Sequence, residues 1–192
     1  IDNNVKLIPE WGHDRIFNMV SSRSDWCISR QRVWGIPVPA IRCKDCGQFT
    51  LTPDRIRMLA EKVKTSPDGT SIWWRESLEN LFGEKAKCDH CGSHNVEKDS
   101  NILDVWFDSG VSHISVLNEK FGLKWPCNMY LEGSDQHRGW FQSSLLTAVA
   151  IKGQAPYKEV LTHGFTLDGE GRKMSKSLGN TTAPQEVINE FG

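Results

Sequence analysis

Two Cys-x-x-Cys-Gly units, Cys43-Lys44-Asp45-Cys46-Gly47 and Cys88-Asp89-His90-Cys91-Gly92, constrain this chain more than any other feature. Four thiolates in two such knuckles can close a tetrahedron around one ion, the arrangement that structural zinc prefers. Forty-one residues separate Cys46 from Cys88. That is more than a compact zinc ribbon holds, so the excursion must carry structure of its own. The glycine after each knuckle suits a tight turn. Cys27 and Cys127 stand alone and read as buried thiols. Paired knuckles indicate a metal site in a reducing, cytoplasmic compartment and not a secreted disulfide scaffold. We therefore expect Cys43, Cys46, Cys88 and Cys91 to hold one structural zinc ion, with His90 and His94 as competitors that are not needed.

The rest of the chain divides into three stretches. Residues 1–40 are apolar, Trp-rich and broken by Pro9, Pro37 and Pro39, which suggests an irregular, extended segment. Residues 41–100 are charged and bounded by the knuckles. Thr52-Pro53 opens a helix there with Ile56, Leu59, Ala60 and Val63 on one face, and a shorter helix carries Leu78, Leu81 and Phe82 up to Gly83. Beyond Asn101 the text is α/β-like. A strand over 127–131 leads through a polar loop at 133–139 to an apolar helix over 140–151. A strand over 157–167 then leads to a mobile Gly-, Lys- and Ser-rich loop at 168–180, and Thr182-Ala183-Pro184-Gln185 opens a last helix. This alternation is the grammar of a parallel sheet, whose ligands bind beyond the carboxyl ends of the strands. Both polar loops would sit there.

Composition excludes some classes. With a net charge of −1 and 24% charged residues no global basic field points to nucleic acid, which leaves an RNA partner open because a fragment need not carry the whole binding face. A membrane span would need about 18 consecutive apolar residues, and none is present. The opening Ile1-Asp2-Asn3-Asn4 lacks the layout of a signal peptide and carries no Met.

The loop Asp168-Gly169-Glu170-Gly171-Arg172-Lys173-Met174-Ser175-Lys176-Ser177-Leu178-Gly179-Asn180 carries the strongest chemical signal. Two closely spaced lysines in a glycine-flanked loop can set two ammonium groups against one polyphosphate. The pentapeptide Lys173-Met174-Ser175-Lys176-Ser177 resembles the signature of the class I aminoacyl-tRNA synthetases. Three further segments extend the resemblance in the family's order. Asp25-Trp26-Cys27-Ile28-Ser29-Arg30-Gln31-Arg32-Val33-Trp34-Gly35 resembles the stretch after the editing domain in the Ile, Val and Leu branch. Asp104-Val105-Trp106-Phe107-Asp108-Ser109-Gly110 and Glu132-Gly133-Ser134-Asp135-Gln136-His137-Arg138-Gly139-Trp140-Phe141 are most similar to the isoleucine enzymes.

The resemblance implies the second half of a Rossmann-type catalytic domain with a small zinc-knuckle insertion at 41–100. It also implies that 1–40 returns from an editing domain and that 101–192 carries the Lys-Met-Ser-Lys-Ser loop. Glu132, Gly133, Asp135 and Gln136 would bind the aminoacyl-adenylate, and a buried carboxylate there would welcome the substrate ammonium. Trp106 and Trp140 resemble the tryptophans that flank the isoleucine side chain in a rigid apolar slot. Such a slot cannot firmly reject valine, one methylene shorter. His163 and Gly164 would contact the adenine side of ATP. Lys173, Met174, Ser175 and Lys176 would handle its phosphates, with Lys173 and Lys176 as the catalytic cations. For an intact enzyme the implied partners are ATP with magnesium, L-isoleucine and tRNA(Ile).

A second family signature, His-Ile-Gly-His, is missing from this sequence, as are the editing and anticodon-binding domains. This stretch alone, expected to be a monomeric fragment, should therefore be inactive. Two other readings remain open at this point: a zinc-dependent nucleic-acid-binding fragment or paralogue without catalysis, and a valine- or leucine-specific synthetase.

Overall fold

The computed structural model describes residues 4–192; Ile1, Asp2 and Asn3, within the opening tetrapeptide noted above, lie outside the described residues. In chain order the elements begin with β1 (Lys6–Ile8), α1 (Trp11–Ser21), β2 (Ser29–Arg30), β3 (Ile41–Cys43), β4 (Phe49–Thr50) and α2 (Pro53–Thr65). They continue with α3 (Ile72–Arg75), α4 (Leu78–Phe82), β5 (Val96–Lys98), β6 (Ile102–Leu103), α5 (Val105–Gly110) and α6 (Ser112–Val116). The last are β7 (Cys127–Gly133), α7 (Trp140–Lys152), β8 (Tyr157–His163) and α8 (Pro184–Phe191). Packing groups residues 1–24 with 109–192 in one unit and 25–108 in another.

The first unit is built on a parallel sheet in the order β1-β8-β7. The crossover from β7 through α7 to β8 is the β-α-β unit that the alternation suggests. Phe141, Leu145 and Ala148 recur at helical spacing on α7, and all three are buried. Phe141 and Leu145 join Leu7, Ile16, Tyr130, Tyr157 and Val160 in one apolar cluster. Tyr157 is fully buried and donates its hydroxyl to the carbonyl of Phe141 at 3.1 Å. The strand expected over 157–167 stops at His163. After Gly164 the chain turns into a loop in which Leu167 pairs with Lys173 instead of with the sheet.

Residues 1–40 are not uniformly irregular. β1 adds to the sheet beside β8, with Leu7 opposite Val160, and α1 is a regular helix. Pro9 lies ahead of that helix, where a missing N–H disturbs no intrahelical bond, and Gly12 and Ile16, four residues apart, face inward.

The second unit holds a three-stranded antiparallel sheet, β4-β3-β5, and the two-stranded pair β2-β6. Its core is Ile41, Leu59, Trp73, Leu78, Leu81, Phe82 and Ala86. α2 begins as its sequence suggests, with the Thr52 hydroxyl accepting from the Arg55 N–H at 3.5 Å and Pro53 at the first position. Its buried face differs from the one expected. Ile56 and Ala60 are exposed, while Arg55 and Leu59 point inward with Met58 and Val63 beside them. The cause is Arg55, whose guanidinium donates to Asp89, to Thr50 Oγ1 and to the carbonyls of Lys85 and Lys87. An apolar pattern cannot register a buried arginine. α4 buries Leu78, Leu81 and Phe82 and ends at Gly83, as expected.

The unit boundaries fall at 24/25 and 108/109, away from 40/41 and 100/101. β1 belongs to the parallel sheet, and Ile102 and Leu103 pair with Arg30 and Ser29. Among the described residues no helix is long and apolar enough to cross a membrane.

Candidate functional site

Parallel pairing brings the ends of β7 and β8 together, with Glu132 opposite Thr162 and Gly133 opposite His163. The 134–138 turn and the 164–180 loop thus both leave the carboxyl end of the sheet. A Cβ at Gly133 would lie 2.7 Å from Asp135 Oδ1, so a side chain here would displace the Asp135 carboxylate. Glu132 and Asp135 are both exposed, so the argument from a buried carboxylate does not apply to them. Glu132 Oε2 accepts from the Gly133 N–H at 3.2 Å, and Asp135 Oδ2 accepts from Gln136 Nε2 at 2.9 Å. Gln136 also accepts the Trp140 N–H through Oε1 at 2.9 Å, which caps the first turn of α7. His163 Nδ1 lies 2.7 Å from the carbonyl of Gly164.

Between these residues His137 is fully buried, with Nδ1 2.9 Å from the Ser134 carbonyl. Burial pushes its pKa down, so the ring is neutral at pH 7. Trp140 is held more firmly than a solvent-facing aromatic. Its ring stacks on Tyr130 with centroids 3.9 Å apart, and Nε1 donates to the Ser109 carbonyl at 3.1 Å.

The 168–180 loop is organised by its two ends. Asp168 accepts from the N–H groups of Glu170 and Arg172, from Arg172 Nε and from Asn180 Nδ2. Asn180 in turn accepts the Ser175 N–H through Oδ1 at 2.9 Å. The Asn180 amide, then the Arg172 N–H, hold the Asp168 carboxyl well below its ordinary range, at about 2. With the backbone pinned this way, Lys173 and Lys176 are both exposed. The Lys173 ammonium sits 3.5 Å from the centroid of the Phe165 ring, a cation–π contact. Lys176 makes no ion pair among the described residues. Met174 is tied to Thr166 by its N–H at 2.9 Å.

Trp106 lies in the other unit, in α5. Its backbone N–H donates to Asp104 Oδ1 at 3.1 Å, and its side chain is partly exposed.

The knuckles are near copies of each other. In one, the N–H of Gly47 donates to the Cys43 carbonyl and that of Cys43 to Gln48; in the other, Gly92 donates to Cys88 and Cys88 to Ser93. Gly47 and Gly92 have φ of 74° and 76°, a left-handed turn that other residues rarely adopt. The four sulfur atoms lie within 4.8 Å of one another, with Cys43–Cys91 at 3.6 Å and Cys46–Cys88 at 3.7 Å. A tetrahedral zinc–thiolate site has sulfur–sulfur edges of about 3.8 Å, so the donor set fits that ion. His90 and His94 are not in the cluster. The Cys91 N–H lowers the Cys88 thiol to about 7. Cys91 gains from the Ser93 N–H, but the neighbouring Cys43 and burial raise it to about 12. The solitary cysteines are less buried than expected: Cys127 is half-buried, and Cys27 is exposed just before β2, where its thiol meets Ser29.

Several contributors carry no strong signal in the text. Gln136 as a helix cap and Phe165 as a platform for Lys173 depend on tertiary placement. Asp168 had a usable signal, since an aspartate ahead of a Gly-rich stretch commonly folds back on nearby N–H groups.

A parallel sheet with a lysine-bearing loop and a polar turn at its carboxyl end is the architecture of a nucleotide-binding α/β domain. The family of tRNA synthetases class I (I, L, M and V) matches residues 1–192, and the chain belongs to that family. It is 55% identical over 190 residues to the isoleucine–tRNA ligase of Caldicellulosiruptor saccharolyticus, which covers 99% of this chain and 20% of that protein. To the isoleucine–tRNA ligase of Lawsonia intracellularis it is 51% identical over all of its length and 20% of the relative's. The chain thus spans about a fifth of the curated relatives it matches. Among solved structures, the LeuRS of Agrobacterium radiobacter K84, in its ternary complex with tRNA and LeuAMS, shares the fold. Its TM-score is 0.60 at 24% identity, over 88% of this chain and 23% of that one.

Proposed function

We propose that this chain is part of the catalytic domain of an isoleucine–tRNA ligase, which activates isoleucine with ATP and transfers it to tRNA(Ile). The observation that carries the reading is the shared carboxyl end of the sheet: Gly133 and His163 end paired strands, and the Glu132–Gln136 turn and the Lys173–Lys176 loop both leave from there. Relatives at 55% and 51% identity support isoleucine, and they do not favour a valine- or leucine-specific enzyme or a pure nucleic-acid binder.

In the intact enzyme the isoleucine carboxylate attacks the α-phosphorus of ATP and pyrophosphate leaves. The acyl group then passes from the adenylate to a ribose hydroxyl at the end of the tRNA, and AMP leaves. No protein nucleophile takes part, so the work of the chain is placement and charge stabilisation. Glu132, Gly133 and Asp135 hold the adenylate, with Glu132 and Asp135 offering exposed oxygens to the ammonium and ribose. Gln136 contributes its amide N–H, since its oxygen caps α7. Trp106 and Trp140 serve the isoleucine side chain. His163 and Gly164 meet the adenine side, and Met174 and Ser175 shape the backbone between the two lysines. Lys173 and Lys176 meet the negative charge that gathers on the departing pyrophosphate. Magnesium accompanies ATP on its phosphates. We further propose that Cys43, Cys46, Cys88 and Cys91 bind one zinc ion that holds the knuckles and takes no part in the reaction. A monomeric, cytoplasmic enzyme fits this reading.

The test is amino-acid-dependent ATP–pyrophosphate exchange by the full-length protein. Isoleucine should support it best, valine measurably and leucine poorly. Exchange supported best by leucine or valine would contradict the assignment.

A further inference from the structure

Two of the segments that carry the family resemblance, 25–35 and 104–110, meet at one carboxylate. Antiparallel pairing of β2 with β6 sets Arg30 opposite Ile102, two residues before Asp104. The Asp104 side chain is 5% exposed. Its Oδ2 accepts from Trp26 Nε1 at 2.9 Å and from Arg30 Nη2 at 2.6 Å, and its Oδ1 accepts from the backbone N–H of Trp106 at 3.1 Å. Its own N–H donates to the Ile28 carbonyl at 2.7 Å. The Asp104 carbonyl accepts from Phe107 and Asp108, so the residue is the N-terminal cap of α5. Arg30 is fixed as well, since Nη1 donates to the carbonyls of Cys27 and Ser29.

We infer that Asp104 is a positioning residue for Trp106, and that Trp26 and Arg30 act on amino-acid selection through it. The inference rests on the proposed role of Trp106 at the isoleucine side chain. A six-residue helix has little stability of its own, so the direction of its second residue is set by its cap. Both carboxylate oxygens of Asp104 are committed to donors, so it is placed to hold an element and not to react. Its negative charge is buried, and Arg30 supplies the cation that makes this tolerable. Trp26 adds a ring contact to Phe107, the residue after Trp106, at 6.1 Å between centroids. The 25–35 segment thus acquires a task that its sequence alone does not declare: it grips the start of the helix that presents Trp106.

The experiment is steady-state pyrophosphate exchange by the full-length enzyme carrying Asp104→Asn, with isoleucine and ATP varied separately. The asparagine keeps an oxygen for one donor but turns an N–H toward the others. The isoleucine KM should rise about tenfold, the ATP KM should stay unchanged, and the preference for isoleucine over valine should narrow. An unchanged isoleucine KM, or isoleucine and ATP KM values that rise together, overturns the inference. Trp26→Phe, which leaves the Arg30–Asp104 pair intact, keeps the test valid should Asp104→Asn not fold. It should raise the isoleucine KM about threefold, and no change would count against the inference. Trp106→Ala separates the two levels. Should it leave the isoleucine KM unmoved, the role of Trp106 fails and this inference with it. Should it raise that KM while neither Asp104→Asn nor Trp26→Phe does, only the positioning role fails.

Discussion

The knuckles at 43–47 and 88–92 and the loop at 168–180 are both glycine-bearing turns that present chemistry, yet they are held in opposite ways. In the knuckles the backbone folds two matching turns, and the four thiols lie within 4.8 Å of one another, two of the pairs at 3.6 and 3.7 Å, with only each other as side-chain partners across the centre. Such a group could be closed by an ion. In the loop the closure is internal: Asp168 and Asn180 bond to each other and to the N–H groups of Glu170, Arg172 and Ser175. The lysine side chains there, Lys173 and Lys176, are kept out of that network and exposed. On the proposed reading, the knuckles spend their reactive groups on structure, whereas the loop recruits other residues for structure so that its lysines stay available.

That contrast can be broken in several places. The largest effect is expected at the knuckles. Removing zinc with a chelator, or substituting Cys43→Ser, should melt much of residues 25–108, because zinc contributes about 10–16 kcal/mol in small structural sites. Amides of β7, β8 and α7 should stay protected from hydrogen exchange. A zinc-free protein with full protection throughout would show that the apolar core around Trp73 suffices. Next comes Trp140→Ala in the full-length enzyme, which should raise the isoleucine KM about ten- to hundredfold and the ATP KM far less. An unchanged isoleucine KM would return the Tyr130–Trp140 stack to a purely structural role.

The loop should be more tolerant. Asp168→Asn removes a charged acceptor from four donors and should lower the adenylation kcat by roughly three- to tenfold, about 1 kcal/mol. No effect would mean that Asn180 alone closes the loop. The smallest effects concern pH. The folded Asp168 pKa of about 2 lies below its ordinary value, so its contribution is complete above about pH 4 and is lost as pH falls through about 2. The Asp168→Asn deficit should then be constant from pH 6 to 8. At the knuckles the sign points the same way but the window differs. Zinc needs thiolates, and with Cys91 raised to about 12 its binding releases protons at neutral pH and weakens as pH falls, more steeply once pH drops through the Cys88 value of about 7. Calorimetry in buffers of different ionisation heat reads that release directly.

How much of this was legible in the sequence follows the same divide. Cys43, Cys46, Cys88 and Cys91 could be read because a metal site needs its ligands at fixed local spacing. The alternation over 127–163 could be read because a buried helix such as α7 demands continuous apolar text between two strands, although β7 itself buries only Tyr130 and Gly133. α1 was hidden by Pro9, which looks like a breaker yet lies outside the helix. The true face of α2 was hidden by Arg55, whose burial depends on carbonyls about thirty residues away. Lys173 and Lys176 stood out as a pentapeptide. Asp168 was partly legible, as an aspartate ahead of a Gly-rich stretch. Asn180, Gln136 and Asp104, which hold the loop and the starts of α7 and α5, were not, because a hydrogen-bonding side chain declares its partner only once the fold supplies one.

The central claim is that Lys176 is kept free by the Asp168–Asn180 closure in order to meet charge in the transition state. The measurement is single-turnover formation of isoleucyl-adenylate by full-length enzyme with and without Lys176→Ala. The rate should fall about a hundredfold, on the order of 3 kcal/mol for one preorganised charge contact, with the isoleucine Kd unchanged. An unchanged rate, or a loss confined to isoleucine binding, would contradict the account.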